Sequence, residues 1–339
     1  MGELLGKYAQ RWQVLLGGDR FNIFGQHMTI AWLQRFITLG SLIFWWALGF
    51  WCLNAWGLGA SALANGRHWA VLCFAVPLLI TPLILGVQCI WAARINRSEP
   101  LLPRPSIAQW LAAWLAEIWA AIRVFMWWQP FRHNAIANYL PATPGRRGAV
   151  LVHGYFCNRA LWMDWMTQLR ADQRAFIAVD LEPAFGSISE YAQVIEEAVA
   201  QVSQATGLPP VLIGHSMGGL AIRAWAAQTI GKSGRMDRVH RIITLGTPHH
   251  GTALAVLSHT QNGHEMHQGS RWLLHNMSQL PDNFAQHCTN YYSHCDNIVF
   301  PASTATILGA DNRHIVGHAH VQLVFSEHIQ KACLGYLET

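Results

Sequence analysis

Two long apolar runs dominate the N-terminal third of the chain. From Phe36 to Ala64 the only strongly polar side chain is Asn54, and from Trp69 to Ala93 it is Gln88. A helix that crosses a membrane needs about 20 mostly apolar residues, so each run is long enough. The four-residue connector, 65–68, is so short that the two predicted transmembrane helices must form a hairpin. Pro77 and Pro82 are expected to kink the second helix.

A third apolar stretch, Ile107–Trp128, carries Glu117 and Arg123 and five tryptophans. The two charges are six residues apart, too far to pair on one helix face, and they would be costly in a bilayer core. Tryptophan prefers the headgroup level of the membrane. The pattern favours an amphipathic helix lying in the membrane interface. A third crossing is the alternative, and it would move the rest of the chain to the opposite side.

Beyond Arg147 the pattern changes to short apolar runs that alternate with helical periodicity. This is typical of an α/β fold, a mostly parallel sheet with helices on both faces. Predicted strands are 149–152, 175–179, 211–213 and 242–245, and predicted helices are 189–206 and 217–228. The chain is thus predicted to comprise a segment 1–35, a hairpin 36–93, a linker 94–147 with the interfacial helix, and an α/β domain 148–339. Pro141, Pro144 and Gly145 mark the start of that domain.

Basic residues predict the orientation of the hairpin. Four precede it, one lies in its connector and three follow it, in the order Lys7, Arg11, Arg20, Arg35, Arg67, Arg94, Arg97 and Arg104. Because basic residues accumulate on the cytoplasmic side, both ends are expected there. The first apolar run begins too far into the chain for a cleaved signal peptide. We therefore expect an integral protein of a bacterial cytoplasmic (inner) membrane with the α/β domain facing inward.

Composition excludes some other classes of protein. Hydrophobic residues make up 52% of the chain and charged residues 12%, and the net charge of +5 is scattered without a basic helix, so no nucleic-acid partner is expected. The seven cysteines are odd in number, and Cys52, Cys73 and Cys89 lie in apolar segments. No disulfide framework is implied.

The motif with the clearest chemistry is Gly214-His-Ser-Met-Gly218, which follows a predicted buried strand and opens a predicted helix. Glycines on both sides allow the strained turn of a nucleophile elbow, which makes Ser216 the candidate nucleophile. A serine hydroxyl needs a histidine base that is oriented by a carboxylate. Asp296, in a loop before an apolar run that ends at Pro301, and His320 follow in the expected order.

Several alternatives stay open. His318 follows a glycine and rivals His320 as the base, and Asp311 is a second candidate for the acid. Asp180 and Glu182 precede the nucleophile and so violate the expected order.

These motifs resemble the lipase branch of the α/β-hydrolase family over roughly residues 148–335. The resembling segments are the acid loop Ser293-His-Cys-Asp-Asn-Ile-Val-Phe-Pro301, the His320-Val-Gln-Leu323 segment and the turn Gly246-Thr-Pro-His-His-Gly251. The resemblance implies an oxyanion hole formed by the backbone N–H groups of Tyr155 and Met217. It also implies a mobile cap over residues 253–286. Met266, Trp272, Leu273, Leu274 and Met277 either contact an acyl chain or pack the cap onto the core, and both alternatives stay open. His153 and His215 are expected to hold loops by hydrogen bonds.

The sequence therefore predicts a membrane-anchored serine hydrolase that cleaves carboxylic esters of a lipid or other lipophilic substrate next to the bilayer. No cofactor is expected, and no metal site, because neither His-Glu-x-x-His nor paired Cys-x-x-Cys occurs; a structural calcium stays open. An acyltransferase that uses the same triad and a catalytically inactive membrane scaffold on the same fold are the alternatives.

Overall fold

The computed structural model describes residues 29–55, 60–99, 102–142, 144–231 and 234–338. The first two helices among the described residues are α1, Ile30–Ala55, and α2, Ala60–Ile95. The predicted connector at 65–68 is wrong, because these residues lie inside α2. Residues 56–59, between the two helices, are outside the described residues. The Ala-Ser-Ala-Leu-Ala run at 60–64 forms helix well and tolerates the single Gly66 that follows. Pro77 and Pro82 also lie inside α2.

The third apolar stretch forms a helix that begins at a capping box. Ser106 Oγ accepts a hydrogen bond from Gln109 N, and the Gln109 side chain accepts one from Ser106 N. Helix α3, Ile107–Ala121, continues into a π-helical segment, Ile122–Trp128, and then into α4, Gln129–Arg132. Among the described residues, three helices are long and apolar enough to cross a membrane, namely Ile30–Cys52, Trp69–Ser98 and Ile107–Arg132.

Six parallel strands form one sheet in the order β2-β1-β3-β4-β5-β6. The strands are β1 Ala149–Val152, β2 Phe176–Val179, β3 Val211–His215, β4 Arg241–Leu245, β5 Cys288–Tyr292 and β6 Asp311–His314. The first four agree closely with the prediction, because their apolar side chains are buried on both faces. The sequence did not predict β5 and β6.

Helices cover both faces of the sheet and give the α/β architecture that the sequence predicted. On one face, α6 (Ala192–Thr206) and α7 (Met217–Thr229) pack with Trp225 and Ile195 in the core. On the other face, α5 (Met163–Ala171) and α10 (Glu327–Gly335) pack with Trp165 and Leu169. Because the strands are parallel, their carboxyl ends meet at one edge of the sheet, where ligands bind in folds of this kind.

The segment expected to form a cap contains two short helices, α8 (Gln261–Glu265) and α9 (Arg271–Ser278), with a 3₁₀ turn at Ala253–Leu257 before them. Glu265 joins this segment to the domain, since its carboxylate accepts hydrogen bonds from Ser187 Oγ and Ile188 N, both at 2.7 Å.

Helix α3 and the π-helical segment pack directly on the α/β domain. The Arg123 guanidinium pairs with the Asp164 carboxylate at 2.9 Å and lies over the Trp128 ring. Val124 and Trp128 belong to the same core cluster as β1 and α5. The sequence predicted that Glu117 and Arg123 are too far apart to pair with each other, and the fold gives each of them a partner outside the helix. The boundaries at 35, 93 and 147 remain predictions.

Candidate active site

Ser216 lies between β3 and α7 with φ 55° and ψ −127°. A residue other than glycine adopts this region only when its surroundings enforce it. Here the Ser216 N–H donates to Leu245 O at 2.9 Å, and Ser216 O accepts from the Thr247 hydroxyl at 2.9 Å and from Gly219 N at 3.1 Å. The strained turn of a nucleophile elbow is therefore held by backbone atoms, which leaves the Ser216 hydroxyl outside these bonds.

Asp296 and His320 form a buried pair. The Nδ1 atom of His320 lies 2.8 Å from Asp296 Oδ2, and the two residues are 4% and 2% exposed. Asp296 Oδ1 accepts the N–H groups of Ile298 and Val299, both at 2.8 Å. A carboxylate held in this way accepts a hydrogen bond from the Nδ1–H group of the ring. The Nε2 atom of the neutral ring then carries no proton and is left as the base.

The turn after β4 brings the three predicted residues together. Leu245 and Thr247 bind the backbone of Ser216, and between them Gly246 has φ +56°. A Cβ atom on Gly246 would lie 3.0 Å from Asp296 Oδ2 and 3.1 Å from His320 Nδ1. Within the described residues the Ser216 hydroxyl forms no hydrogen bond with His320. Such bonds commonly tighten only when substrate is bound.

The rival residues lie elsewhere. The His318 ring is directed to its own loop, with Nδ1 at 3.0 Å from Val316 O. Asp311 lies in the edge strand β6, paired with Arg313 at 2.7 Å. Of the two early carboxylates, Asp180 accepts the Arg159 N–H at 2.8 Å, and Glu182 accepts the Ile30 N–H at 2.9 Å.

Charges around His320 favour its protonated form. Burial opposes protonation, but the Asp296 charge, its hydrogen bond to the ring and the charge of Glu117 outweigh burial and raise the pKa of His320. The neighbouring His215 ring, centred 4.6 Å from that of His320, has its pKa held well below the usual range, by burial and then by the charge of His320. Of these two neighbouring rings, His320 is therefore the one that becomes protonated.

His215 and His153 hold loops, as expected. His215 Nε2 lies 3.2 Å from His320 O, so it donates to that carbonyl. His153 Nε2 accepts the Leu181 N–H at 3.0 Å, while its Nδ1 lies 2.9 Å from Gly154 O. Burial lowers the pKa of His153, in keeping with this neutral arrangement.

The loop after β1 approaches the nucleophile closely. A Cβ atom on Gly154 would lie 2.8 Å from Ser216 Cβ, so the approach requires glycine. Tyr155 follows in this loop, and Met217 is the first residue of α7. Among the hydrogen bonds of the described residues, none uses the backbone N–H of Tyr155 or Met217. Both groups are thus available to an acceptor beside Ser216.

A cavity of about 110 Å³ adjoins Ser216. Its lining is almost entirely apolar and consists of Tyr155, Ser216, Pro248, Thr252, Leu254, Ala255, Ser258, Gly263, Met266, Ile298 and Val299. Of the five predicted acyl contacts, only Met266 is among these residues. Leu273 is buried in the domain core, Leu274 is 65% exposed, and Trp272 donates to Ser189 Oγ at 2.8 Å. The acid loop, which contributes Ile298 and Val299, supplies walls that the sequence did not predict.

Polar side chains of α1, α2 and α3 form hydrogen bonds with the loops that carry Tyr155, Asp296 and His320. Gln34 of α1 donates to Phe156 O at 2.8 Å, in the loop that carries Tyr155. Gln88 of α2 accepts from Asn297 at 3.0 Å, and Asn297 Oδ1 accepts the His320 N–H at 3.2 Å. Glu117 of α3 binds the residues after His320. For Glu117 the signal in the sequence was a charge within an apolar stretch, and it was interpreted only as a cost of membrane insertion. Gln88 was noted as a single polar residue without a role, and Gln34 precedes the first apolar run.

In the parts of the chain that the structure describes, no group of three or more His, Cys, Asp or Glu side chains is arranged to hold a metal ion. His249, one of the two adjacent histidines in the Gly246–Gly251 turn, is buried, and its Nε2 atom lies 3.1 Å from the Thr244 hydroxyl.

Comparison with solved structures finds similarity over part of the chain. The chain is similar to Bacillus licheniformis lipase BlEst2 in mature form, with 18% identity and a TM-score of 0.49, over 60% of this chain and 95% of that one. It is similar to Aspergillus fumigatus lipase B, with 16% identity and a TM-score of 0.49, over 60% of this chain and 56% of that one. A third, the monoacylglycerol lipase of Paleococcus ferrophilus, gives 16% identity and a TM-score of 0.41, over 60% and 96%.

Comparison with curated proteins gives no match. The model of the alpha/beta hydrolase family matches residues 149–318, half of the chain, and this span contains the elbow, the acid loop and the whole sheet. The chain therefore belongs to the alpha/beta hydrolase family.

Proposed function

We propose that this protein hydrolyses carboxylic esters of lipid-like substrates at a membrane, with Ser216 as nucleophile, His320 as base and Asp296 as the acid that orients the base. The observation that carries the proposal is the strained turn at Ser216, which adjoins the same 245–247 segment as the buried Asp296–His320 pair. Strain at a serine between a strand and a helix is typical of the nucleophile elbow.

In the first step, His320 Nε2 takes the proton of the Ser216 hydroxyl while the oxygen attacks the ester carbonyl carbon. Asp296 holds the Nδ1–H of the ring and stabilises the imidazolium as it forms. The carbonyl oxygen becomes an oxyanion, which the N–H groups of Tyr155 and Met217 bind. Donors fixed before the reaction stabilise this charge without reorganisation, and one such donor contributes about 100-fold or more in kcat.

The tetrahedral intermediate then collapses. The His320 imidazolium gives its proton to the leaving alkoxide, the alcohol departs, and the acyl group stays on Ser216. A water molecule, activated by the neutral His320, attacks the acyl-enzyme and releases the carboxylic acid and the free serine. Every step as proposed uses side chains and N–H groups of this chain and needs no cofactor.

The apolar cavity supports a lipid-like substrate. It adjoins Ser216 and offers an acyl or alkyl chain an apolar lining, so a chain that enters it is removed from water. The turn that contributes Leu254 and Ala255 also exposes Val256 and Leu257, which are 60% and 64% exposed. Exposed apolar side chains beside an apolar cavity are suited to meeting a lipid surface.

We expect Ala255→Phe to change the chain-length preference. Ala255 is 6% exposed and lines the cavity, so a phenyl ring there fills the space that a longer acyl chain would occupy. In a panel of p-nitrophenyl esters, kcat/KM for long acyl chains should fall about tenfold or more relative to acetate, since burial of a few methylenes contributes about 1–3 kcal/mol.

Val256→Phe is the matched control, because it enlarges an exposed side chain on the same turn and leaves the cavity unfilled. An unchanged chain-length preference in Ala255→Phe would place the acyl site elsewhere. A wild-type protein that hydrolyses none of the esters and takes up no fluorophosphonate would contradict the proposed activity itself.

The proposed location is a bacterial cytoplasmic membrane, with the hairpin crossing it and the hydrolase domain facing the cytoplasm. Hydrogen bonds support both hairpin ends lying on one side: the α1 N-terminus binds Glu182, and Asn96, just past α2, donates to His294 O at 3.1 Å. Contacts of Glu117 and Arg123 with the domain support α3 lying beside it and not crossing.

We predict that, in a bacterial host, an alkaline phosphatase fused after Gly145 is inactive and a green fluorescent protein fused at the C-terminus is fluorescent, because phosphatase folds only outside the cytoplasm. A phosphatase fused after Ala60, where α2 begins, should be active and serves as the positive control. The reverse pattern would indicate that Ile107–Trp128 crosses the membrane as well.

A further inference from the structure

Glu117 is a buried carboxylate in an apolar helix. It is 1% exposed, and Gln109 is the only other strongly polar residue in α3. Removing a carboxylate from water costs several kcal/mol unless hydrogen bonds or charges compensate it. A residue kept at this position therefore needs specific partners.

The partners of Glu117 are backbone N–H groups next to His320. Both carboxylate oxygens accept from Val321 N, at 2.9 and 3.0 Å, and Oε2 also accepts from Gln322 N at 3.0 Å. These N–H groups lie at the start of the 3₁₀ turn Val321–Phe325, and His320 is the N-cap residue directly before it. A carboxylate at the start of a helical turn satisfies donors that have no partner within the turn.

We propose that Glu117 is a positioning residue for His320, so that helix α3 is part of the machinery of the active site. The proposal rests on the proposed function, in which His320 is the base. The Glu117 carboxylate holds the peptide groups on the C-terminal side of His320, while Asn297 holds its N–H. Packing of Ala113 against Ala319 and Cys295 brings α3 to both catalytic loops. Glu117 thereby fixes where the imidazole stands relative to Ser216.

Glu117 also acts on the charge of His320. The charged and titratable groups that face His320 are Asp296, Glu117 and His215. The two carboxylates favour the imidazolium when they are ionised, and His215 stays neutral and adds no charge. Burial raises the pKa of Glu117 to about 7, while its bonds to Val321 and Gln322 and the charge of His320 lower it, so the protonation of Glu117 and that of His320 depend on each other. Because the free enzyme needs a neutral His320, activity is lost as the pH falls through the raised pKa of that residue. Removal of the Glu117 charge lowers this pKa and moves the acid limb of the profile to lower pH.

The test is the pH dependence of ester hydrolysis by full-length Glu117→Gln in detergent or lipid. The amide keeps one oxygen that accepts the Val321 N–H but carries no charge. We expect kcat to fall about 10- to 100-fold, since small displacements of a catalytic group have effects of this size. KM should change little, and the acid limb of kcat/KM should move to lower pH. An acid limb that stays in place overturns the proposal, whatever the change in kcat.

Arg123→Gln is the matched control. It removes the other charge of the same helical stretch, its pairing with Asp164 and its contact with the Phe325 ring at the far end of the Val321–Phe325 turn. It leaves in place the bonds that Val321 N and Gln322 N make beside His320. Its acid limb should coincide with that of the wild type. If Glu117→Gln does not fold, Glu117→Asp decides, because it keeps the charge and shortens the reach by one methylene. A reduced kcat with a smaller shift of the limb supports the proposal, and a wild-type kcat overturns it.

A second measurement separates this proposal from the proposed function. The titration of the His320 ring, followed by NMR in protein labelled at histidine and assigned with His320→Gln, requires no substrate. Absence of ester hydrolysis and of fluorophosphonate labelling in the wild type contradicts the proposed function alone. A His320 pKa that is equal in the wild type and in Glu117→Gln contradicts the role of Glu117 alone.

Discussion

Replacement of Ser216 by alanine is expected to abolish ester hydrolysis and fluorophosphonate labelling while the protein stays folded and in the membrane. Loss of a triad nucleophile lowers kcat by about a million-fold. The fold should survive, because the bonds that hold the elbow use the backbone N–H and carbonyl of Ser216, and alanine keeps both. The measurements are hydrolysis of a p-nitrophenyl ester, gel fluorescence after labelling, and thermal unfolding.

Ser203→Ala is the matched control for this prediction. Ser203 lies in α6, away from the elbow, and its carbonyl caps the end of the helix through Gly207. It should label and hydrolyse as the wild type does. Labelling of Ser216→Ala at full strength would move the nucleophile to another residue, and an equal loss in both variants would indicate a general effect on the protein.

Replacement of His320 is expected to have an effect of similar size, and replacement of His318 a much smaller one. His320 Nδ1 binds Asp296, whereas the His318 ring binds the carbonyl of Val316 in its own loop. His320→Ala should therefore lower kcat by about a million-fold and His318→Ala by less than about tenfold. Because His320→Ala leaves a buried carboxylate without its partner, His320→Gln is a second variant in which the space stays filled.

Asp296→Asn should follow His320. Its amide nitrogen would face His320 Nδ1 and favour the tautomer that carries a proton on Nε2, which cannot accept the serine proton; this change lowers kcat by about 10⁴-fold in a related triad. Asp311→Asn serves as the comparison, since Asp311 pairs with Arg313 at the sheet edge. An inactive His318→Ala with an active His320→Ala would reassign the base. An active Asp296→Asn with an inactive Asp311→Asn would reassign the acid.

Local sequence patterns determined much of this protein. The order of a buried strand, Gly-His-Ser-Met-Gly and a helix predicts the elbow, because the strained turn needs glycine at fixed offsets from Ser216. The apolar runs predict long apolar helices, since length and uniform hydrophobicity are properties of the sequence itself. Strands β1 to β4 were predicted because they are buried on both faces and therefore continuously apolar.

Other features depend on partners that are distant in the chain. Strand β5 carries Thr289 and Asn290, which are fully buried. Asn290 gains its side-chain hydrogen bonds only once Thr244 of β4 and Asn312 of β6 lie beside it, and Thr289 accepts one from Arg241 of β4. Because β5 contains these polar residues, it lacks the continuous apolar pattern that predicts a buried strand. The position of the hairpin connector was also mistaken, because the polar residues 65–68 between the two apolar runs continue the helix that begins at Ala60.

The role of the N-terminal helices was decided by tertiary structure alone. In the sequence, Gln34 lies beside Arg35 just before the first apolar run, and Gln88 is a single polar residue within the second. Glu117 is a charge in an apolar helix, which by itself indicates a cost of membrane insertion. In the folded chain these three residues bind the loops that carry Tyr155, Asp296 and His320. The free energy of a buried polar group depends on its partners, and these partners lie between 122 and 209 residues away along the chain. Periodicity reports only on neighbours a few positions apart, so no local pattern contains this information.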